Sequence, residues 1–187
     1  MPARAHRRVA LVGHPGAHSS AIHSLEAQVT LRDGAELLLH YVLRAELARL
    51  RIPPPAADPG RVDELWRHTC FEAFVSESPG PGYLELNFSP AGSWAAYAFD
   101  DYRQGMRPAQ LPQLPRIELA RQPQQLELHA SVQLPRSATA AAARSLRIAV
   151  TAVIEDVAGS LYYWSARHPA GKADFHHPDN LLLELTP

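Results

Sequence analysis

Apolar and polar side chains alternate with a period of two along much of this chain. From Gln125 to Leu134, the residues Leu126, Leu128, Ala130, Val132 and Leu134 fall on one side, and Glu127, His129, Ser131 and Gln133 on the other. Successive side chains of an extended strand point to opposite faces, so the run predicts a strand with one buried face. Tyr83–Phe88 behaves likewise, with Leu84, Leu86 and Phe88 opposite Tyr83, Glu85 and Asn87. In Leu146–Ile154, Leu146, Ile148, Val150, Ala152 and Ile154 oppose Arg147, Ala149, Thr151 and Val153. Further strands are predicted over Ser24–Leu31, Glu36–Arg44, Thr69–Val75, Trp94–Asp100, Ile117–Arg121, Leu161–Ser165 and Leu181–Leu185.

Prolines and glycines fall between these runs, at Pro53-Pro54-Pro55, Pro79 to Gly82, Pro112 to Pro115 and His168 to Gly171. Such clusters read as turns. Short strands with a turn signal every ten residues or so predict an all-β chain, an antiparallel β-sandwich of about ten strands. A length of 187 residues suits a single domain over 1–187, with 1–21 expected to be irregular. Three segments carry mixed signals. Glu36–Leu50 is rich in helix formers but is expected to be mainly strand, Asp63–Phe74 a turn and then a strand, and Ala138–Ala143 a short helix or loop.

Composition narrows the function. The 18 basic and 19 acidic side chains leave a formal charge of −1, so no long-range field draws in nucleic acid. Cys70 is the single cysteine and permits no internal disulfide, which points to a reducing compartment. The apolar run Val9–Val12 is too short for a secretory signal, and no stretch reaches membrane-span length. The expected location is the cytoplasm, with no membrane partner; the oligomeric state is left open.

All three tryptophans and five of the six tyrosines lie in three stretches, Leu65–Phe74, Tyr83–Met106 and Tyr162–Pro178. Aromatic rings beside carboxylates, amides and guanidinium groups suit a sugar, whose C–H faces pack on rings while polar groups fix its hydroxyls. The plain alternative is that each tryptophan fills the core. The candidate ligand contacts are Trp66, Glu72, Glu85, Asn87, Trp94, Arg103, Trp164, His168, Lys172 and His176.

Other chemistries stand beside this one. His168, Asp174, His176 and His177 offer nitrogen and oxygen donors to a metal, yet match no specific ligand spacing. Met106 with His129, His168 or His176 is a candidate axial pair for haem. Glu72 and Glu85 are a candidate carboxylate pair for glycoside hydrolysis, and Cys70 reads as a buried, inert thiol. No catalytic residue, metal or resident cofactor is expected in the leading reading, that of a non-catalytic binding domain.

Leu65-Trp66-Arg67-His68-Thr69-Cys70-Phe71-Glu72-Ala73-Phe74, Tyr83 to Pro90, Trp94-Ala95-Ala96-Tyr97, Tyr102 to Met106 and Tyr163-Trp164 through Asp174-Phe175-His176 resemble the bacterial DOMON-like proteins. These are similar to family-9 carbohydrate-binding modules and to the haem- or sugar-binding DOMON superfamily. The resemblance runs from about Ser24 to Leu185. It implies a β-sandwich of roughly ten or eleven strands and a carbohydrate or sugar-like metabolite as ligand, with haem-linked electron transfer as the alternative. Family-9 modules more often carry acidic residues where this chain has Arg67, His68 and Thr69, a departure that bears on their calcium site and sugar clamp.

Overall fold

A computed structural model describes residues 5–32, 35–77, 80–135 and 145–185. The strands are β1 (Ala5–Gly13), β2 (Ile22–Arg32), β3 (Glu36–Ala45), β4 (Cys70–Glu77), β5 (Tyr83–Phe88), β6 (Trp94–Phe99), β7 (Arg107–Pro108), β8 (Arg116–Gln122), β9 (Gln125–Gln133), β10 (Leu146–Glu155), β11 (Leu161–Ser165) and β12 (Leu183–Leu185). They form one antiparallel twelve-stranded sheet in the order β7-β6-β5-β4-β10-β11-β1-β2-β3-β9-β8, with β12 added beside β10. The sheet is curled. Its continuity depends on β1, which pairs with β2 from Ala5 to Leu11 and with β11 only at Val12 and Gly13.

The all-β reading of the alternation therefore holds, and the predicted strands lie within a few residues of those observed. Glu36–Leu50 is a strand ending in a 3₁₀ turn at Leu47–Arg49; Asp63–Phe74 is a 3₁₀ turn at Leu65–Arg67 and then β4. Ala138–Ala143 lies outside the described residues. One expectation needs correction: the segment 1–21, read as irregular, supplies β1. Among the described residues, Ala5 to Leu11 of β1 pair on one side only, with β2, and His6, Arg7 and Arg8 are exposed there. Charged residues suit such a half-open strand, and they hide it from a search for apolar alternation.

Curling brings two flanks of the sheet together over the main core. Leu25, Val29, Leu39, Tyr41, Leu43, Leu126 and Leu128 come from one flank; Phe71, Leu86, Phe88, Ile148, Val150 and Ile154 come from the other. Tyr41 is fully buried, and its hydroxyl donates to the Glu72 carbonyl at 2.6 Å, which ties the flanks together.

The β4–β5–β6–β10 flank is covered on its other face too. Phe74, Tyr83, Tyr97, Phe99, Ala149, Val153 and Phe175 form a smaller second cluster there. The chain following β11 supplies Phe175 and lies over this face. Both faces being covered explains why Cys70 to Ser76 are all buried in β4. A glutamate inside such a strand is costly to bury. Glu72 is the exception that marks the site.

Candidate binding site

Pairing register builds the site. Side chains of directly opposed residues in antiparallel strands share a face. Glu72 stands opposite Asn87 on one side and Thr151 on the other, and Thr151 stands opposite Ser165. The result is a polar row, Asn87–Glu72–Thr151–Ser165, across four strands on the face away from the main core. All four residues are buried. Glu72 Oε1, Thr151 Oγ1 and Ser165 Oγ have no hydrogen-bond partner among the described residues.

A cleft of about 330 Å³ opens on this face, lined by Trp66, Glu72, Glu85, Phe99, Arg103, Met106, Val153, Tyr163, Ala173, Phe175 and His176. That volume lies at the lower end of small-molecule sites, and the mix of aromatic wall and few polar groups is typical of them.

Each wall has a local cause. Trp66 rides on the 3₁₀ turn before β4, entered through Glu64 in the left-handed region (φ 60°). Thr69 secures the turn's exit, its hydroxyl donating to the Arg51 carbonyl at 2.8 Å and accepting from the Glu155 amide at 3.0 Å. Trp66 meets Tyr97 edge-on at 5.6 Å between centroids. Burial and the hydrogen bond to Asp63 push the Tyr97 hydroxyl up to about 12.

Arg103 and Met106 come from the turn after β6. Gly105 there has φ 67°, and a side chain at that position would run into the Asp100 carboxylate. Asp174 ties this turn to the chain following β11. It pairs with Arg103 at 2.7 Å, accepts from the Tyr102 hydroxyl, and accepts the His176 amide at 3.1 Å. Asn180 fixes the Asp174 carbonyl at 2.7 Å.

At the centre, Glu85 accepts from Asn87 Nδ2 at 2.8 Å, and its Oε2 lies 3.7 Å from His176 Nε2. Tyr83 accepts the Arg103 amide at 3.2 Å and, in the assignment that satisfies both contacts, donates to His176 Nδ1 at 2.8 Å. Burial, then the Arg103 charge, lowers His176 to about 4, and Asp174 offsets part of that. Burial, reinforced by the Glu85 charge, raises Glu72 well above the carboxylate range. Burial also raises Glu85, while Asn87 and Arg103 pull it back. Burial and mutual repulsion disfavour two ionised carboxylates in this cleft, so the Glu72–Glu85 pair retains a proton and offers both a donor and acceptors.

The structure brings Trp66, Glu72, Glu85, Arg103 and His176 together at the cleft and sets Asn87 beside Glu85. The other candidates lie elsewhere. Trp94 is opposite Phe88 and Trp164 opposite Ala152, both on the main-core face, where they pack against the core. His168 bonds the Val12 carbonyl at 2.9 Å and meets His14 edge-on, and Lys172 is exposed outside the lining. The His168–His177 donors do not converge either, since Asp174 is taken by Arg103 and Tyr102, and His177 Nδ1 accepts the Asp179 amide at 3.2 Å.

Of the candidate haem ligands, Met106 and His176 line the cleft, whereas His129 lies on β9. Both His176 ring nitrogens already face protein groups. Sequence reasoning passed over Phe99, Val153, Tyr163, Ala173 and Phe175. The alternation of β5 and β10 places their neighbours on this face, but in Leu161-Tyr162-Tyr163-Trp164 both parities are apolar or aromatic, so alternation there cannot choose Tyr163 over Trp164.

No protein-family model matches the chain, and no curated protein does. Among solved structures, it is similar to "a putative carbohydrate-binding protein" from Bacteroides uniformis, with a TM-score of 0.70 at 16% sequence identity over 97% of this chain and 85% of that one. At that identity the likeness shows the shared all-β fold.

Proposed function

We propose that the chain is a non-catalytic binding domain of the β-sandwich type found in carbohydrate-binding modules, holding a neutral sugar or sugar-like metabolite in the cleft. One observation carries this reading: Glu72 lines a cleft walled by Trp66, Tyr163 and Phe175, and its buried Oε1 has no hydrogen-bond partner among the described residues. A buried polar atom left unpaired costs about 1–3 kcal/mol. A sugar hydroxyl both donates and accepts, so it satisfies such an atom while its C–H face rests on the rings. The Bacteroides uniformis protein's name supports the same ligand class. The packing of two sheet flanks over one core supports the sandwich description. Calorimetry across neutral monosaccharides, disaccharides and nucleotide sugars tests the reading. Saturable one-to-one binding that Glu72→Leu weakens supports it, and the absence of binding at millimolar ligand removes it.

The buried Glu72–Glu85 pair favours a second reading, acid–base chemistry on a glycosidic bond. Release of nitrophenol from aryl glycosides, abolished in Glu72→Gln, would replace binding by hydrolysis. The binding reading expects none.

A further inference from the structure

We propose that His40, Glu127 and His129, on the outer face of the opposite flank, form a site for a divalent transition-metal ion of the zinc class. His40 in β3 and His129 in β9 are direct cross-strand partners, and Glu127 lies two residues before His129, on the same face. Alternation turns all three away from the core, because Leu39, Tyr41, Leu126, Leu128 and Ala130 between them are buried.

One donor atom from each residue falls within 4.8 Å of the others. Glu127 Oε2 is 2.9 Å from His40 Nε2 and 3.8 Å from His129 Nε2. Ligands that bind zinc at about 2.0–2.2 Å need donor separations of this order, so small side-chain rotations bring all three onto one ion. Two imidazole nitrogens and a carboxylate oxygen are the donor set that zinc and its neighbours take.

The surroundings fit the assignment. Gln125 Nε2 holds the other Glu127 oxygen at 2.7 Å, which orients the carboxylate as an outer partner of a ligand does. The imidazoles stack at 3.9 Å between centroids and 10° between planes. The facing residues on the outer strands are Gln28, beside His40, and Glu118, beside His129. A groove of about 380 Å³ runs past the two histidines towards Arg32, Glu36 and Arg116, so the ion's remaining positions open to water or a small anionic ligand. This site lies on the outer face of the flank opposite the cleft and stands independently of what the cleft binds.

The test uses the full chain without a histidine tag, titrated with Zn²⁺ by calorimetry, beside His40→Ala and His129→Ala. Both side chains are partly exposed, and matching far-UV spectra and unfolding midpoints check that the variants fold. One ion per chain, weakened at least about tenfold in either variant, with a Zn²⁺-dependent rise in unfolding temperature confined to the wild type, is the expected result. Equal Zn²⁺ affinity in the three proteins, or none in the wild type, overturns the site.

Discussion

Glu72 and Thr151 stand directly opposite each other on β4 and β10, each with a buried side-chain oxygen that no described residue satisfies. Two such oxygens side by side, with Ser165 Oγ next in the row, are rare in a folded interior. Of these residues Glu72 lines the cleft, and it is the physical reason for placing a polar ligand there.

Glu72→Gln and Glu72→Leu separate stability from binding. The folded carboxyl is raised, so above the ordinary range near 4.5 the unfolded chain releases its proton first and the wild type loses stability as pH rises. The amide has no such penalty. Glu72→Gln is expected to melt a few degrees higher than the wild type at pH 8, with the gap closing towards pH 4.5, while Glu72→Leu, which removes donor and acceptor alike, lowers sugar affinity at least about tenfold, or roughly 1.4 kcal/mol. Melting curves at the two pH values, with calorimetry, check both effects.

The tryptophans divide by face. Trp66→Ala is expected to weaken sugar binding about tenfold or more and to lower stability by about 1 kcal/mol, since its ring borders the cleft and meets Tyr97. Trp94→Ala and Trp164→Ala remove rings packed on the main core and are expected to cost about 2–4 kcal/mol. Urea unfolding paired with ligand titration of each variant distinguishes the two roles.

His176 gives the acid limb of stability. Its folded value of about 4 lies below the ordinary 6.5, so as pH falls from 6.5 to 4 the unfolded chain takes up a proton that the folded chain refuses. Stability is then lost over that window, by an amount on the order of 3 kcal/mol, and levels off below it. In His176→Gln this loss disappears, so wild type and variant converge in urea midpoint as the pH approaches 4.

Gly105→Ala probes the turn that delivers Arg103. A side chain at φ 67° meets Asp100, so the turn must rearrange. A loss of about 1–2 kcal/mol in stability is expected, with a weaker sugar affinity because Arg103 no longer sits against Asp174. Equilibrium unfolding and calorimetry measure the two.

The architecture was legible where one face of a strand meets the core and the other meets water. Leu126, Leu128, Ala130 and Val132 fix the parity of β9, and Leu84, Leu86 and Phe88 that of β5, so Glu85 and Asn87 could be assigned to the outer face from sequence. In β4 both faces are covered, and side-chain type no longer reports direction. The same loss of contrast in β11 drew attention to Trp164 rather than Tyr163. The candidate histidines were grouped by nearness along the chain, from His168 to His177, whereas the three donors that converge come from β3 and β9. Their meeting depends on register, which no local pattern in the chain reveals.

The most direct test follows the indole resonances of Trp66, Trp94 and Trp164 by NMR while a panel of neutral sugars is titrated into the wild type and Glu72→Leu. A sugar that shifts Trp66 in a saturable manner, with Trp94 and Trp164 much less affected and the response lost in the variant, is the predicted result. A sugar that binds equally well without the Glu72 carboxyl, or that moves the other indoles and leaves Trp66 still, would contradict it.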